Sequence, residues 1–394
     1  MLSEDKSAEV INLVSRLIRA RSYSGEEREV AGILSSAMMD AGFNDVTTDR
    51  YGNVIGRLAG SRPGPKILFD GHMDTVPVPD SSVWTHDPFG AQIEGGRMYG
   101  RGTSDMKGAL GSMVCAAKNF REATGGDFAG EVYVAGVVHE ECFEGVASRE
   151  ISKAVRPDVV VIGEASNLDV KIGQRGRAEV VVRTHGKSCH SANPEKGLNA
   201  VYAMTKVVDA IRKLVPPEQP KLGKGILELT DIISNPYPGA SVVPDLCRVT
   251  YDRRLLVGET PESVLAPIQE ALDALMAKDP EVKADVSYST GSQKCYTGET
   301  ISAERFFPGW LYDEGEPFVQ SVVGELRGMG FAPQIREYNF CTNGSHYAGE
   351  AHIPTIGLGP SVESLAHVVD EYVELSQLTG VTECYEGAMR ALCK

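Results

Sequence analysis

The sequence has no C-x-x-C pair. Its eight cysteines (Cys115, Cys142, Cys189, Cys247, Cys295, Cys341, Cys384 and Cys393) are scattered along 394 residues. That usage suits free thiols in a reducing cytosol rather than a disulfide framework. The first residues, MLSEDKSAEVINL, lack a basic segment followed by an apolar core, so no secretory signal is expected. No uninterrupted apolar run approaches the roughly 18 residues of a membrane span. Basic residues are also few, with 39 Lys and Arg against 54 Asp and Glu and a formal net charge of −15. That balance argues against nucleic acid or an anionic membrane surface as partner. No repeat and no low-complexity segment is visible. What remains is a composition ordinary for a globular protein, with 42% apolar content and a length that suits two domains; a cytoplasmic setting is expected.

The apolar spacing predicts a helix over 5–21. A second helix is predicted to start at Ser24, with Glu27 completing a capping box. Short strands are expected around 45–48, 53–58 and 66–69, with a small-residue helix over 108–123. Buried strands follow at 131–138 and 158–162. Each strand of this group that carries chemistry stops at a polar tip, as in a mixed α/β sheet with its site at the strand ends. The texture changes near Gly176. A strand–helix–strand–strand–helix–strand order then reads as an inserted α+β module, ferredoxin-like in pattern. The expected division is residues 1–176 and 289–394 for one catalytic domain, with 177–288 inserted. In the last part, helices are expected over 316–329 and 375–392, and strands over 334–338 and 355–358.

The strand tips collect His72, Asp105, Glu140, Glu141 and Glu164, and His367 follows near the end. Singly, each is unremarkable; a lone His-x-Asp is usually decoration. Together, two imidazoles and several carboxylates suit a pair of zinc-like ions sharing one bridging Asp. Asp74, two residues past His72, can hold that imidazole in one tautomer through its carboxylate. Of the adjacent Glu140 and Glu141, one can bind metal while the other stays free as a base toward substrate.

With those residues in place, the sequence resembles the M20 family of di-zinc metallopeptidases and amidohydrolases. That family includes acetylornithine deacetylase, succinyl-diaminopimelate desuccinylase, carboxypeptidase G and aminoacylase. The resemblance spans essentially the whole chain. It rests on GHMDTVP (71–77), GRGTSDMKG (100–108), HEECFEG (139–145), GEAS (163–166), GKSCHSANPEKGLNA (186–200) and SLAHVVDEYV (364–373). It implies a zinc-peptidase-like catalytic domain carrying a lid and dimerisation domain. It implies that His72 and Glu164 hold one Zn²⁺, that Glu141 and His367 hold a second, and that Asp105 bridges them. Co²⁺ or Mn²⁺ could take the same places. Glu140 would be the general base and Asp74 would orient His72. The Asp105–Met106 peptide would be cis. His190 would reach the site of a partner subunit in a homodimer and help hold the oxyanion. Arg254 would bind the substrate carboxylate, leaving Arg253 as a surface charge. Asn343, where relatives carry Asp, is assigned to substrate contact. The other histidines (His86, His139, His185, His346 and His352) are given no chemistry.

The function expected is hydrolysis of the amide or ureide bond of a small N-acyl or N-carbamoyl amino acid, with zinc-bound hydroxide as nucleophile and Glu140 as base. The chain order also resembles M20 hydrolases linked to selenium-dependent purine metabolism. The alternatives are a dipeptidase or carboxypeptidase acting on short peptides, and a catalytically silent binding protein.

Overall fold

The computed structural model describes residues 2–394. The chain divides into two compact units. The first contains the chain through Gln174, then Ser292–Ala303 and Leu311–Lys394; the second contains Arg175–Gly291 and Glu304–Trp310.

The first unit is a mixed sheet with helices. The strands run in the order Asp45–Thr48, Val54–Ala59, Ala129–Val137, Arg62–His72, Val159–Ile162, Thr355–Gly357, Val170–Gln174. The 62–72 strand is parallel to both neighbours, with Asp70 opposite Ala135 on one side and Ile162 on the other. Its residues from Ile67 to His72 are buried, as is most of the 129–137 strand, which pairs parallel with it and antiparallel with Val54–Ala59, as inner strands of a mixed sheet do. In-register parallel pairing brings the C-terminal ends of these strands to one edge, where His72 lies opposite Val137.

Helices Glu4–Arg19, Lys107–Thr124 and Leu375–Leu392 pack on one another. The 107–124 helix manages this through small residues. A Cβ on Gly111 would sit 2.7 Å from Val14 Cγ2, closer than carbon atoms can approach, so only glycine permits this helix contact. The expected capping box at Ser24 does not form. The helix runs Arg28–Asp40 with no side-chain cap, because Ser24 Oγ donates instead to Asp74 Oδ2 at 2.7 Å. A tertiary partner with a full charge outcompetes the local cap. A small three-stranded sheet joins Gln92–Glu94, Arg97–Tyr99 and Tyr372–Glu374, pairing Tyr372 with Tyr99.

The second unit has the strand–helix–strand–strand–helix–strand order, with an antiparallel sheet running Ile226–Asn235, Leu246–Leu255, Gly176–His185, Ala284–Tyr288. Val180, Val182, Val249 and Tyr251 meet Met204, Val207, Ile268 and Leu272 of helices Ala200–Ile211 and Pro261–Lys278 in its core. Among the described residues, no helix is long and apolar enough to cross a membrane.

Candidate metal centre

Five segments deliver side chains to the strand-end edge of the first unit. His72 closes the 62–72 strand and is buried. Glu164 stands two residues beyond Val159–Ile162, and its carbonyl accepts the Tyr338 hydroxyl at 2.9 Å. Asp105 ends the turn that leads into the 107–124 helix, through a cis Asp105–Met106 peptide. Glu140 and Glu141 form a 3-10 turn after His139, whose φ of 55° reverses the chain. This turn, rather than strand alternation, separates the two carboxylates. His367 comes from a loop near the C-terminus, at φ 64°.

The donor atoms converge. His72 Nε2 lies 2.9 Å from Asp105 Oδ1 and 3.4 Å from Glu164 Oε1. His367 Nε2 lies 3.0 Å from Asp105 Oδ2 and 3.1 Å from Glu141 Oε2. The two oxygens of Asp105 thus face different imidazoles. Adjacent corners of a tetrahedral site with bonds of about 2.0–2.1 Å are about 3.3 Å apart, close to these spacings. His72, Asp105 and Glu141 also form a compact triplet of ligand atoms within 4.8 Å of one another. His72, Glu140 and Glu164 form another on the same limit.

The electrostatics describe a cluster short of positive charge. Burial lifts Glu164 and Glu141 to about 7, reinforced by the Asp105 charge. Burial also lifts Glu140 well above the usual carboxylate range, and its neighbours Glu164, Glu141 and Glu144 add to that. His367 is raised to about 10 by its bonds to Asp105 and Glu141. Burial pulls His72 down, but Asp105 and Glu164 more than offset it and hold the imidazolium. Asp105 is likewise pushed up by burial and ends low because both histidines oppose it. Buried carboxylates crowded against two imidazoles make a donor set that would suit a divalent cation. The donor types, N and O only, fit zinc, cobalt or manganese. Among the described residues, Glu140 Oε1 is buried with no hydrogen-bond partner.

Asp74 works differently from the expectation. His72 Nδ1 is 2.8 Å from the Asp74 carbonyl oxygen and 3.8 Å from its carboxylate. The backbone therefore sets the tautomer and leaves Nε2 toward the cluster. The Asp74 carboxylate instead accepts the N–H of Glu140 at 3.0 Å and of Glu141 at 3.2 Å, fixing their turn.

Asn343 is buried, donates Nδ2–H to Asp70 at 2.9 Å and accepts the Gly145 N–H at 2.8 Å. Its amide ties two segments of the scaffold together. Asp70, which burial raises to about 6 against the Asn343 and Tyr347 bonds, was not singled out in the sequence. Neither was Glu371, a buried carboxylate four residues past His367. An acidic residue opening an apolar strand was its one visible signal.

His190 and Arg254 lie in the second unit. His190 is exposed, and its Nδ1 accepts the Ala192 N–H at 3.0 Å. Arg254 is on the sheet face away from the helices, with Nε 2.8 Å from Asp252. Arg253 is not a surface charge. It points to the helix-covered face, is 4% exposed and pairs with Glu259. His346, given no chemistry, bridges Ser152 Oγ at 2.7 Å and Glu350 Oε2 at 2.8 Å.

Comparison with known proteins identifies the family. The model of peptidase family M20/M25/M40 matches residues 68–391. The uncharacterized protein YgeY of Escherichia coli (strain K12) is 32% identical over 389 residues, covering 97% of this chain and 94% of that protein. Succinyl-diaminopimelate desuccinylase 2 of Ruegeria sp. (strain TM1040) is 27% identical over 395 residues, with 96% and 94% covered. Among solved structures, aminopeptidase PepT from Bacillus cereus superposes with a TM-score of 0.75 at 22% identity, covering 98% of this chain and 99% of that one. The chain belongs to peptidase family M20/M25/M40 and is a metal-dependent hydrolase.

Proposed function

We propose that this chain hydrolyses the amide or ureide bond of a small N-acyl or N-carbamoyl amino acid at a centre holding two divalent ions, zinc by donor preference. The observation that carries this reading is Asp105, whose Oδ1 and Oδ2 stand 2.9 and 3.0 Å from His72 and His367 respectively. One set would be His72, Glu164 and Asp105, the other His367, Glu141 and Asp105. Bound there, a pair of ions would lower the pKa of a water between them and draw electrons from the scissile carbonyl.

The residues supply the rest. Glu140 is held by Asp74 through its backbone and keeps Oε1 without a partner. Its raised pKa suits it to take the proton of the attacking water and pass it to the leaving nitrogen as the C–N bond breaks. The products are a carboxylate, or a carbamate from a ureide, and a free amine. His190 is proposed to steady the oxyanion in the site of a second copy. Arg254 is proposed to receive the substrate carboxylate, exchanging its bond with Asp252. A homodimer through the inserted module is supported by its outer strand 226–235, where Ile232 and Ile233 are 56% and 49% exposed. An edge strand with apolar side chains in water favours pairing with another chain. A reducing, cytoplasmic setting is supported by eight cysteines that are all free.

The desuccinylase named above acts on an N-acyl amino acid and supports this substrate class. The aminopeptidase likeness rests on fold alone, so peptides enter as the competing arm of the test. N-acyl amino acids, N-carbamoyl amino acids and dipeptides should be compared after loading with Zn²⁺ or Co²⁺. The proposal expects turnover of the first two classes above the third. Turnover of dipeptides alone would replace the substrate assignment, and no turnover at all would overturn the catalytic one.

A further inference from the structure

We infer that Glu371 is a positioning residue for this centre: its carboxylate gathers the backbone N–H groups around Asp105 and so sets where the bridging oxygens stand. The inference rests on the reading of Asp105 as a shared metal ligand.

Glu371 is completely buried. Its Oε1 accepts N–H bonds from Gly102 at 3.0 Å, Ser104 at 2.8 Å and Asp105 at 3.1 Å. Its Oε2 accepts from Arg101 Nη1 at 2.5 Å, which neutralises the charge. The strand pairing of Tyr372 with Tyr99 brings the two segments side by side, and Gly100 N donates to the Glu371 carbonyl at 2.8 Å. Ser104 Oγ adds a bond to Ser361 Oγ at 2.7 Å.

Asp105 needs such support. His72 and Glu164 sit at or beside strand ends, where the ladder fixes the backbone. Asp105 lies in an irregular turn, where no ladder bond holds it. A ligand must be kept within about 0.5 Å of its place to serve two ions at once. Three amides converging on one carboxylate oxygen do for the turn what a ladder does for a strand. The same carboxylate lies four residues from His367. One side chain thus references both the bridging ligand and the segment bearing its second imidazole.

The test measures metal binding on purified, metal-stripped full-length protein. Wild type, Glu371→Ala and Glu371→Gln are titrated with Zn²⁺ against a chromophoric chelator. Co²⁺ absorption of each is recorded, and folding is checked by circular dichroism. The expected result is about 10–100-fold weaker binding with a changed Co²⁺ spectrum for Ala. Gln keeps an oxygen for the three amides and should retain more affinity than Ala. A folded Ala variant with wild-type affinity and spectrum, merely lower in Tm, would overturn the inference and leave a structural tie. Should Ala not fold, Glu371→Asp decides. It keeps the charge but draws the oxygen off the amides, so unchanged affinity and spectrum in Asp would overturn the inference. Failure of the wild type to bind any ion would be different: it would remove the metal centre itself.

Discussion

The Asp74 carboxylate accepts the Glu140 backbone N–H at 3.0 Å while the Asp74 carbonyl oxygen stands 2.8 Å from His72 Nδ1. One residue therefore orients both the proposed base and a proposed ligand, through different atoms. The base can be removed without disturbing either bond. Glu140→Gln should bind the same number of ions as wild type and lose about 10²–10⁴-fold in kcat. Metal content by mass spectrometry and turnover of an N-acyl amino acid check this. Equal kcat would take the base role from Glu140.

Asp105→Asn removes the charge that both imidazoles face. We expect the protein to hold at most one ion per chain where wild type holds two, with loss of most activity. Equilibrium dialysis followed by metal analysis decides it. Two ions bound at wild-type affinity would end the bridging assignment.

Loading should release protons. Without metal, His367 titrates at about 10 and His72 is also raised, so both are cationic at neutral pH. A metal ion replaces those protons, so affinity rises with pH and falls as pH drops. Each proton displaced contributes about a tenfold change per pH unit. Calorimetric titration of Zn²⁺ in two buffers of different ionisation enthalpy measures the release. An observed enthalpy independent of buffer would contradict it.

Glu350 gives a pH effect away from the centre. Burial raises its carboxyl, but the bonds from His346 and the Arg149 guanidinium win, and it falls from 4.5 to about 2. The depressed value means the stabilisation is complete above about 4.5 and is lost as pH falls toward 2. Allowing for partial solvent screening, it is on the order of 1–2 kcal/mol. Glu350→Gln should lower Tm at neutral pH and shrink the difference from wild type as the buffer is acidified toward 3. A constant gap across that range would show that the ion pair is not the source.

Much of this was readable because chemistry sits on regular elements. The apolar runs before His72, Glu140 and Glu164 announced strands, and strands fix where their ends fall. What escaped depends on distant partners. Ser24 and Glu27 have the spacing of a cap, yet Asp74, far along the chain, takes the serine. Arg253 and Arg254 alternate in a strand, and only the positions of the covering helices tell which is buried. The Asn343 amide binds Asp70 and Gly145, partners far along the chain that its own sequence neighbourhood does not reveal. Glu371 was hidden because its partners are backbone N–H groups, which leave no trace in residue identity.

The placement of His367 has a consequence for how the molecule matures. Its companions Asp105 and Glu141 are translated long before it, and its loop reaches them only through the closing stretch of chain. Any polypeptide cut short ahead of that loop would carry four of the five proposed donors and no complete proposed centre. Full metallation would therefore report that synthesis and docking of the C-terminal segment are complete.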